Sequence, residues 1–248
     1  MTSPTLNSAP ATTAAPSRHV TDAPTRMFHA LFALSFLGAY LSADAERWRA
    51  MHISLGYTMA GLLAFRLLYG LVGPRQARLG ALWRKLSGGA DWLRASLHSQ
   101  GLAQLNWRQG QNLLMALAVA SILALVLPLT LSGYAAYNEW GDRFGGELFA
   151  ELHEGLGNAL LVVVLAHLAL LLVLSLLRRQ NQAMPMLSGR QAGRGPDLVS
   201  HNRAGLAAVL LLAVLAFMAW RWHDAPAGLL PSTVSVEGRA LRPAHDDD

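Results

Sequence analysis

ELHEGLGNALLVVVLAHLALLLVLSLLRR, residues 151–179, is a leucine-rich run long and apolar enough to cross a bilayer as one helix. Two histidines interrupt it, His153 and His167, fourteen residues apart. In an α-helix that spacing advances roughly 21 Å and nearly four turns, so both imidazoles lie on one face, one in each leaflet. An imidazole facing lipid has no partner for its nitrogens, and histidines inside spanning helices therefore face a bundle interior and mark functional sites. His167 is the costlier of the two, because roughly 15 Å of helix separates it from Arg178.

Working outward, the whole chain has the composition of an integral membrane protein. Of 248 residues, 53% are hydrophobic and only 14% charged, and the mean hydropathy is positive. The net charge of +5 does not imply nucleic acid, because the arginines concentrate in loops on one side, as membrane insertion requires. There is no cysteine, which excludes disulfides, iron–sulfur clusters, thiolate zinc sites and C-x-x-C-H haem attachment. Any cofactor must be held by histidine, methionine, carboxylate or packing.

Residues 1–25 are rich in Ser, Thr, Ala and Pro and contain no apolar core of signal-peptide length. Residues 1–22 are expected to form a flexible cytoplasmic tail. Asp22 followed by Ala23 and Pro24 reads as a helix start, and the first apolar segment is RMFHALFALSFLGAYLSA, 26–43. Further spans are predicted at about 52–72, 112–137, 152–177 and 204–222, with Pro128 kinking the third without ending it. The expected organisation is a four-helix domain over 23–180, a linker at 181–203, a fifth transmembrane helix at 204–222 and an outer tail at 223–248. With the N-terminus inside, cytoplasmic segments carry thirteen Lys/Arg against three acids, whereas the other side holds six basic and twelve acidic residues. The positive-inside rule therefore predicts a cytoplasmic N-terminus and a periplasmic C-terminus in a bacterial inner membrane. The 73–111 loop interleaves Leu and Trp with Arg and Lys in RLGALWRKLSGGADWLRASL. It is either an amphipathic helix on the membrane surface or a polar connector with a short helix.

Two more histidines share the depths of the first pair. His29 lies near Arg26 at the inner end of the first span, and His52 opens the second span from the outer side. His29 and His167 thus sit in the inner half and His52 and His153 at the outer edge, each pair from two different helices, as clamping a flat macrocycle from both faces requires. Any one of His29, His52 or His153 alone would be an ordinary interfacial residue; the joint pattern carries the inference. His19, His98, His201, His223 and His245 fall in tails, loops or helix ends and read as solvated or interfacial. Met27, Met51, Met59 and Met115 read as packing residues. A zinc or copper site made only of histidines would gather its ligands within a few ångströms, which the 153–167 spacing forbids. Bis-imidazole ligation instead fills both axial positions of a haem iron and suits electron transfer rather than oxygen activation.

The first span, HISLGYTMAGLLAFRLLYGLVGPR (52–75) and the 151–179 helix together resemble the bacterial cytochrome b561 and nickel-hydrogenase cytochrome b subunit family over most of residues 20–180. The words R-x-x-H and H-x-x-x-G are weak alone; joined to the His153–His167 helix they are specific. The resemblance implies an all-α four-helix membrane bundle holding two b haems, with His29 and His167 on the cytoplasmic-side iron and His52 and His153 on the periplasmic-side one. The fifth span and long outer tail depart from the minimal four-helix pattern. MPMLSGR (184–190) is also similar to the family.

Secondary candidates follow. Gly38, Gly56 and Gly61 either let a porphyrin approach backbone or serve helix packing, and Gly56 is taken as cofactor-binding. Arg47 or Arg49 outside, and Arg26 or Arg66 inside, are candidates to pair with haem propionates, Arg49 foremost. The resulting expectation is a di-haem cytochrome passing electrons between quinone and a periplasmic c-type cytochrome or redox enzyme subunit. Glu139, Asp142, Glu147, Glu151 and Glu154 near His153 favour such a basic partner over superoxide anion. Arg47, Arg49 and Arg143 keep a superoxide:ubiquinone oxidoreductase as the alternative. A histidine-based proton or metal transporter and a structural anchor for a soluble enzyme are readings from other classes.

Overall fold

The computed structural model describes residues 16–98, 106–143, 147–225 and 229. The expected tail over 1–15, Arg143's neighbours at 144–146 and most of the 223–248 tail lie outside these residues. In chain order the elements are β1 (Ser17–His19), α1 (Ala23–Leu41), a 3-10 turn (Glu46–Trp48), α2 (Arg49–Val72), α3 (Leu79–His98), α4 (Trp107–Tyr137), a second 3-10 turn (Trp140–Arg143), α5 (Leu148–Arg178), α6 (Met184–Leu187), β2 (Arg190–Ala192) and α7 (Ala204–Asp224).

Four helical stretches are long and apolar enough to cross a membrane, 46–72, 107–137, 148–178 and 204–224. They contain the four later spans expected from hydropathy and extend them at their ends. α1 is also membrane-length, 19 residues or about 28 Å, but Arg26 and His29 in its first two turns make it less apolar than the others. Asp22 caps it as the sequence suggests: Thr25 N–H donates to Asp22 Oδ1 at 3.3 Å. Pro128 sits inside α4 without ending it.

The burial pattern is that of a protein solvated by lipid. Ser35, Ser42, Ser54, Thr58 and Ser132 are buried, while Leu34, Leu37, Leu41, Leu68, Val162, Leu172 and Leu176 face outward. Lipid tails are as apolar as leucine, so burying leucine between helices gains little, and small or hydroxylic residues that allow close approach share the contacts with Met59, Leu62, Val126 and Leu160. Four of these hydroxyls, on Ser42, Ser54, Thr58 and Ser132, donate to carbonyls three or four residues back, as in Ser54 Oγ to the Ala50 carbonyl, 2.7 Å, and Thr58 Oγ1 to the Ser54 carbonyl, 2.9 Å.

The chain divides into two compact units, and the division falls within the long helices. The first comprises 1–29, 66–122 and 162–207; the second comprises 30–65, 123–161 and 208–248.

In the first unit, the N-terminal segment is not merely a tail. β1 pairs antiparallel with β2, Arg18 opposite Gln191. The carbonyl of Gly189 accepts from the N–H groups of Val20 and Thr21, at 2.8 and 3.2 Å. This gives MPMLSGR a structural role: α6 and the turn at Gly189 dock the segment that leads into α1. Asp22, almost fully buried, accepts the Tyr69 hydroxyl, and the Ala23 N–H donates to Asn202 Oδ1 at 3.0 Å. The 73–111 loop contains the full-length helix α3, which packs on the start of α4. A β-carbon at Gly89 would lie 2.3 Å from Leu113, one at Gly110 would lie 2.7 Å from Trp92, and Gln109 Nε2 donates to the Gly88 carbonyl at 2.7 Å.

In the second unit, α7 docks on α2. Arg221 Nε donates to Ser54 Oγ at 3.1 Å, and Thr58 Oγ1 donates to Met218 Sδ at 3.7 Å. α1 and α2 meet where Gly38 lies under Leu55.

Candidate functional site

The four candidate histidines fall two to each unit, in the combination expected from depth. His52 and His153 belong to the second unit and His29 and His167 to the first.

The His52–His153 pair is the more completely built. α2 and α5 bring the two rings to a centroid distance of 5.8 Å, at 87° to one another. His52 Nδ1 lies 2.8 Å from the carbonyl of Ala39 in α1, and His153 Nδ1 lies 2.9 Å from the carbonyl of Leu129 in α4. A carbonyl can only accept, so each Nδ1 carries the proton and each Nε2 presents a lone pair. Ala39 is available because it lies in the last turn of α1, where carbonyls lack an intrahelical partner. The two acceptors share a second feature. Ser42 Oγ donates to the Ala39 carbonyl at 3.1 Å, and Ser132 Oγ donates to the Leu129 carbonyl at 3.0 Å. Each imidazole therefore ends a chain of serine hydroxyl, backbone carbonyl and ring N–H.

Glycines shape the space around these rings. A β-carbon at Gly133 would lie 2.7 Å from His153 Cε1 and 2.8 Å from its Nδ1, so the α4 backbone abuts the imidazole. Gly56, one turn beyond His52, has nothing within 4 Å of where its β-carbon would be, and Gly157, one turn beyond His153, faces only Leu129 Cδ1 at 3.9 Å. Both helices thus read H-x-x-x-G with open space beside the glycine. Sequence reasoning singled out Gly56 but missed Gly157, whose signal is the same four-residue spacing. Gly133, Ser132 and Ser42 were missed because nothing local marks them.

The pair suits a haem. Each Nε2 keeps its lone pair for a metal while the Ala39 and Leu129 carbonyls fix the tautomer, and two metal–imidazole bonds of roughly 2 Å are compatible with rings 5.8 Å apart. Among the described residues no three or more His, Asp or Glu gather as a metal-ion cluster would.

His29 and His167 are close enough to interact electrostatically. His167 Nδ1 is buried with no hydrogen-bond partner among the described residues, a cost of the kind that a bound ligand offsets. Arg26 donates through Nη1 to the Leu187 carbonyl at 3.2 Å and Arg66 to the Ala77 carbonyl at 2.9 Å, so both arginines are oriented by backbone. Arg47 and Arg49 are exposed and form no ion pair among the described residues, where the one ion pair is Arg94–Asp91. Glu139, Glu147, Glu151 and Glu154 are exposed as well.

No curated protein and no solved structure matches the chain. A family model described as prokaryotic cytochrome b561 does, over residues 20–189, a stretch that contains the four candidate histidines and ends at the glycine that docks the N-terminal segment. With membrane-length helices, paired intramembrane imidazoles and this match in agreement, the chain belongs to the prokaryotic cytochrome b561 family, the multi-pass, all-helical membrane cytochromes that bind haem b and transfer electrons.

Proposed function

We propose that this cytochrome binds two b haems per chain and carries electrons across the membrane between quinone or quinol and a periplasmic redox partner. The observation that carries the reading is the His52–His153 pair, with both Nδ1 atoms committed to carbonyls and the rings 5.8 Å apart. Haem b, when bound, supplies one-electron redox chemistry. The residues of the chain hold and orient it. His52 and His153 would hold one haem on the outer side, and His29 and His167 would hold the other on the inner side. The Ala39 and Leu129 carbonyls keep the outer imidazoles in one tautomer and raise their basicity. Gly56 and Gly157 leave room for a flat group beside each outer ring, and Arg49 is the candidate partner for a propionate.

The excess of Lys/Arg in the N-terminal, 73–111 and 178–203 segments supports a cytoplasmic N-terminus and a periplasmic C-terminus. In that orientation the exposed Glu139, Glu147, Glu151 and Glu154 face the periplasm near His153 and favour a basic partner, such as a c-type cytochrome or the basic face of a redox enzyme subunit. A second reading, superoxide:ubiquinone oxidoreductase, rests on Arg47 and Arg49, exposed and unpaired within three to five residues of His52. The first test is a pyridine haemochrome assay with a reduced-minus-oxidised spectrum on purified protein. Two b haems per chain with low-spin bands are expected. A colourless preparation after haem-supplemented expression would overturn the reading in favour of a histidine-based proton or metal relay.

A further inference from the structure

Where α2 ends, the chain turns through residues 73–78 into α3, and the corner borders an open cleft of about 430 Å³ lined by Leu71, Leu79 and three arginines, Arg75, Arg78 and Arg84. All three arginines are exposed. Arg78 is held by its Nε, which donates to the Gly73 carbonyl at 2.9 Å. No Asp or Glu occurs between residues 73 and 90, and the one ion pair among the described residues, Arg94–Asp91, lies elsewhere on α3. Three positive charges therefore converge on one cleft without a carboxylate to neutralise them.

The other wall is apolar, and it belongs to the membrane. α2 is membrane-crossing, and its last turns turn Leu68, Leu71 and Val72 outward. α3 continues the apolar surface. Leu79, Trp83, Leu86, Ala90, Leu93 and Leu97 recur at alternating steps of four and three and form one stripe. Trp83, Leu93 and Leu97 are 70%, 51% and 76% exposed. This stripe is distinct from the side of α3 that Gly89 and Trp92 pack onto α4. Arg84 and Arg94 flank it. An open apolar stripe with arginines beside it, on a helix joined to spanning helices, is the kind of surface that lies in the interface of a bilayer.

We propose that the α2–α3 corner binds an anionic phospholipid, its phosphate among Arg75, Arg78 and Arg84 and its acyl chains along Leu71 and the α3 stripe. Guanidinium groups form charge-assisted, bidentate bonds to phosphate, and basic pockets beside membrane helices select anionic headgroups. A free phosphate would use the arginines but leave the leucine wall and the stripe without an occupant. The inference rests on the membrane placement of the chain and on no assignment of haem ligands.

The test is native mass spectrometry of the full-length, detergent-purified holoprotein after exchange with dioleoyl phosphatidylglycerol or dioleoyl phosphatidylcholine. The variant is R75Q/R78Q/R84Q, and the charge-matched control is R179Q/R190Q/R194Q, with the haem spectrum of each serving only as a folding check. Wild type and control should retain phosphatidylglycerol at least roughly tenfold better than the variant, given the contribution of each basic residue near a lipid surface. Phosphatidylcholine should bind all three weakly and alike. Equal retention of the two lipids by wild type would overturn the proposal whether or not the variant folds, as would equal loss in variant and control. Displacement of phosphatidylglycerol by millimolar inorganic phosphate would reassign the cleft to a soluble anion and overturn the lipid.

Discussion

Gly133 and His153 are so close that the backbone of α4 itself forms the wall against which the imidazole stands: a β-carbon at 133 would lie 2.7 Å from Cε1. The side chain it would strike cannot swing away without losing the 2.9 Å bond from Nδ1 to the Leu129 carbonyl. Gly133→Ala is therefore expected to displace His153 and to cost about 1–3 kcal/mol through overpacking. In a haemochrome assay the haem content should fall from about two per chain to about one. Full haem content with an unshifted spectrum would show that the contact does not constrain the ligand.

Because the two histidine pairs fall in separate units, their loss should be separable. His153→Ala should remove one low-spin centre and His167→Ala the other, leaving different residual reduced-minus-oxidised spectra. If either substitution removes both centres, or if the two residual spectra coincide, independent two-ligand sites are refuted.

Ser132 donates to the same carbonyl that receives the His153 N–H. Removing the hydroxyl in Ser132→Ala leaves His153 without a competing side-chain donor at that carbonyl, strengthens its Nδ1–H bond and makes the ring a more basic ligand. The oxidised centre gains more than the reduced one. The midpoint potential of a centre held by His52 and His153 should fall by tens of millivolts, less than the ~59 mV of a tenfold one-electron change, while one held by His29 and His167 stays put. Potentiometric titration followed optically measures both, and a rise or no change at the first would refute this role for Ser132.

The exposed carboxylates near His153 are expected to act on encounter rather than on chemistry. Neutralising Glu147, Glu151 and Glu154 together as glutamines should slow reduction or oxidation by a basic c-type cytochrome at low ionic strength and have little effect above the salt concentration that screens surface charge. Stopped-flow rates across a salt series would show this. An identical low-salt rate would remove the steering role.

Gly189 has φ +78°, and a β-carbon there would lie 2.8 Å from the Thr21 carbonyl oxygen and 2.9 Å from His19 Nε2. Gly189→Val should cost about 1–3 kcal/mol through backbone strain and loosen the β1–β2 pairing. A lower midpoint in thermal unfolding, with faster proteolysis near residue 20 and unchanged haem stoichiometry, is the expected result.

Hydropathy and helical periodicity are local properties, and they were enough to establish the membrane class, the later four spans and the start of α1 at Ala23, and to single out His153 and His167 on one helix and His29 and His52 on two others as candidates. A run of twenty apolar residues has few alternatives to crossing a bilayer, and an intramembrane imidazole is costly enough to announce itself. The partners of those imidazoles were not legible. Every residue has a carbonyl, so no side chain marks Ala39 or Leu129 as the acceptor for a ring 13 or 24 positions away, and a glycine such as Gly133 or Gly157 declares its role only through what stands opposite it. The same holds for α7 on α2, for Asp22 under Tyr69 and for a three-residue strand at Ser17–His19 that exists only because Arg190–Ala192 pairs with it. Sequence determined which long helices form and which residues are candidates to carry chemistry, because burial and periodicity act over a few turns. Tertiary structure decided how those residues are held, because hydrogen-bond acceptors and close backbone approach are selected by neighbours in space.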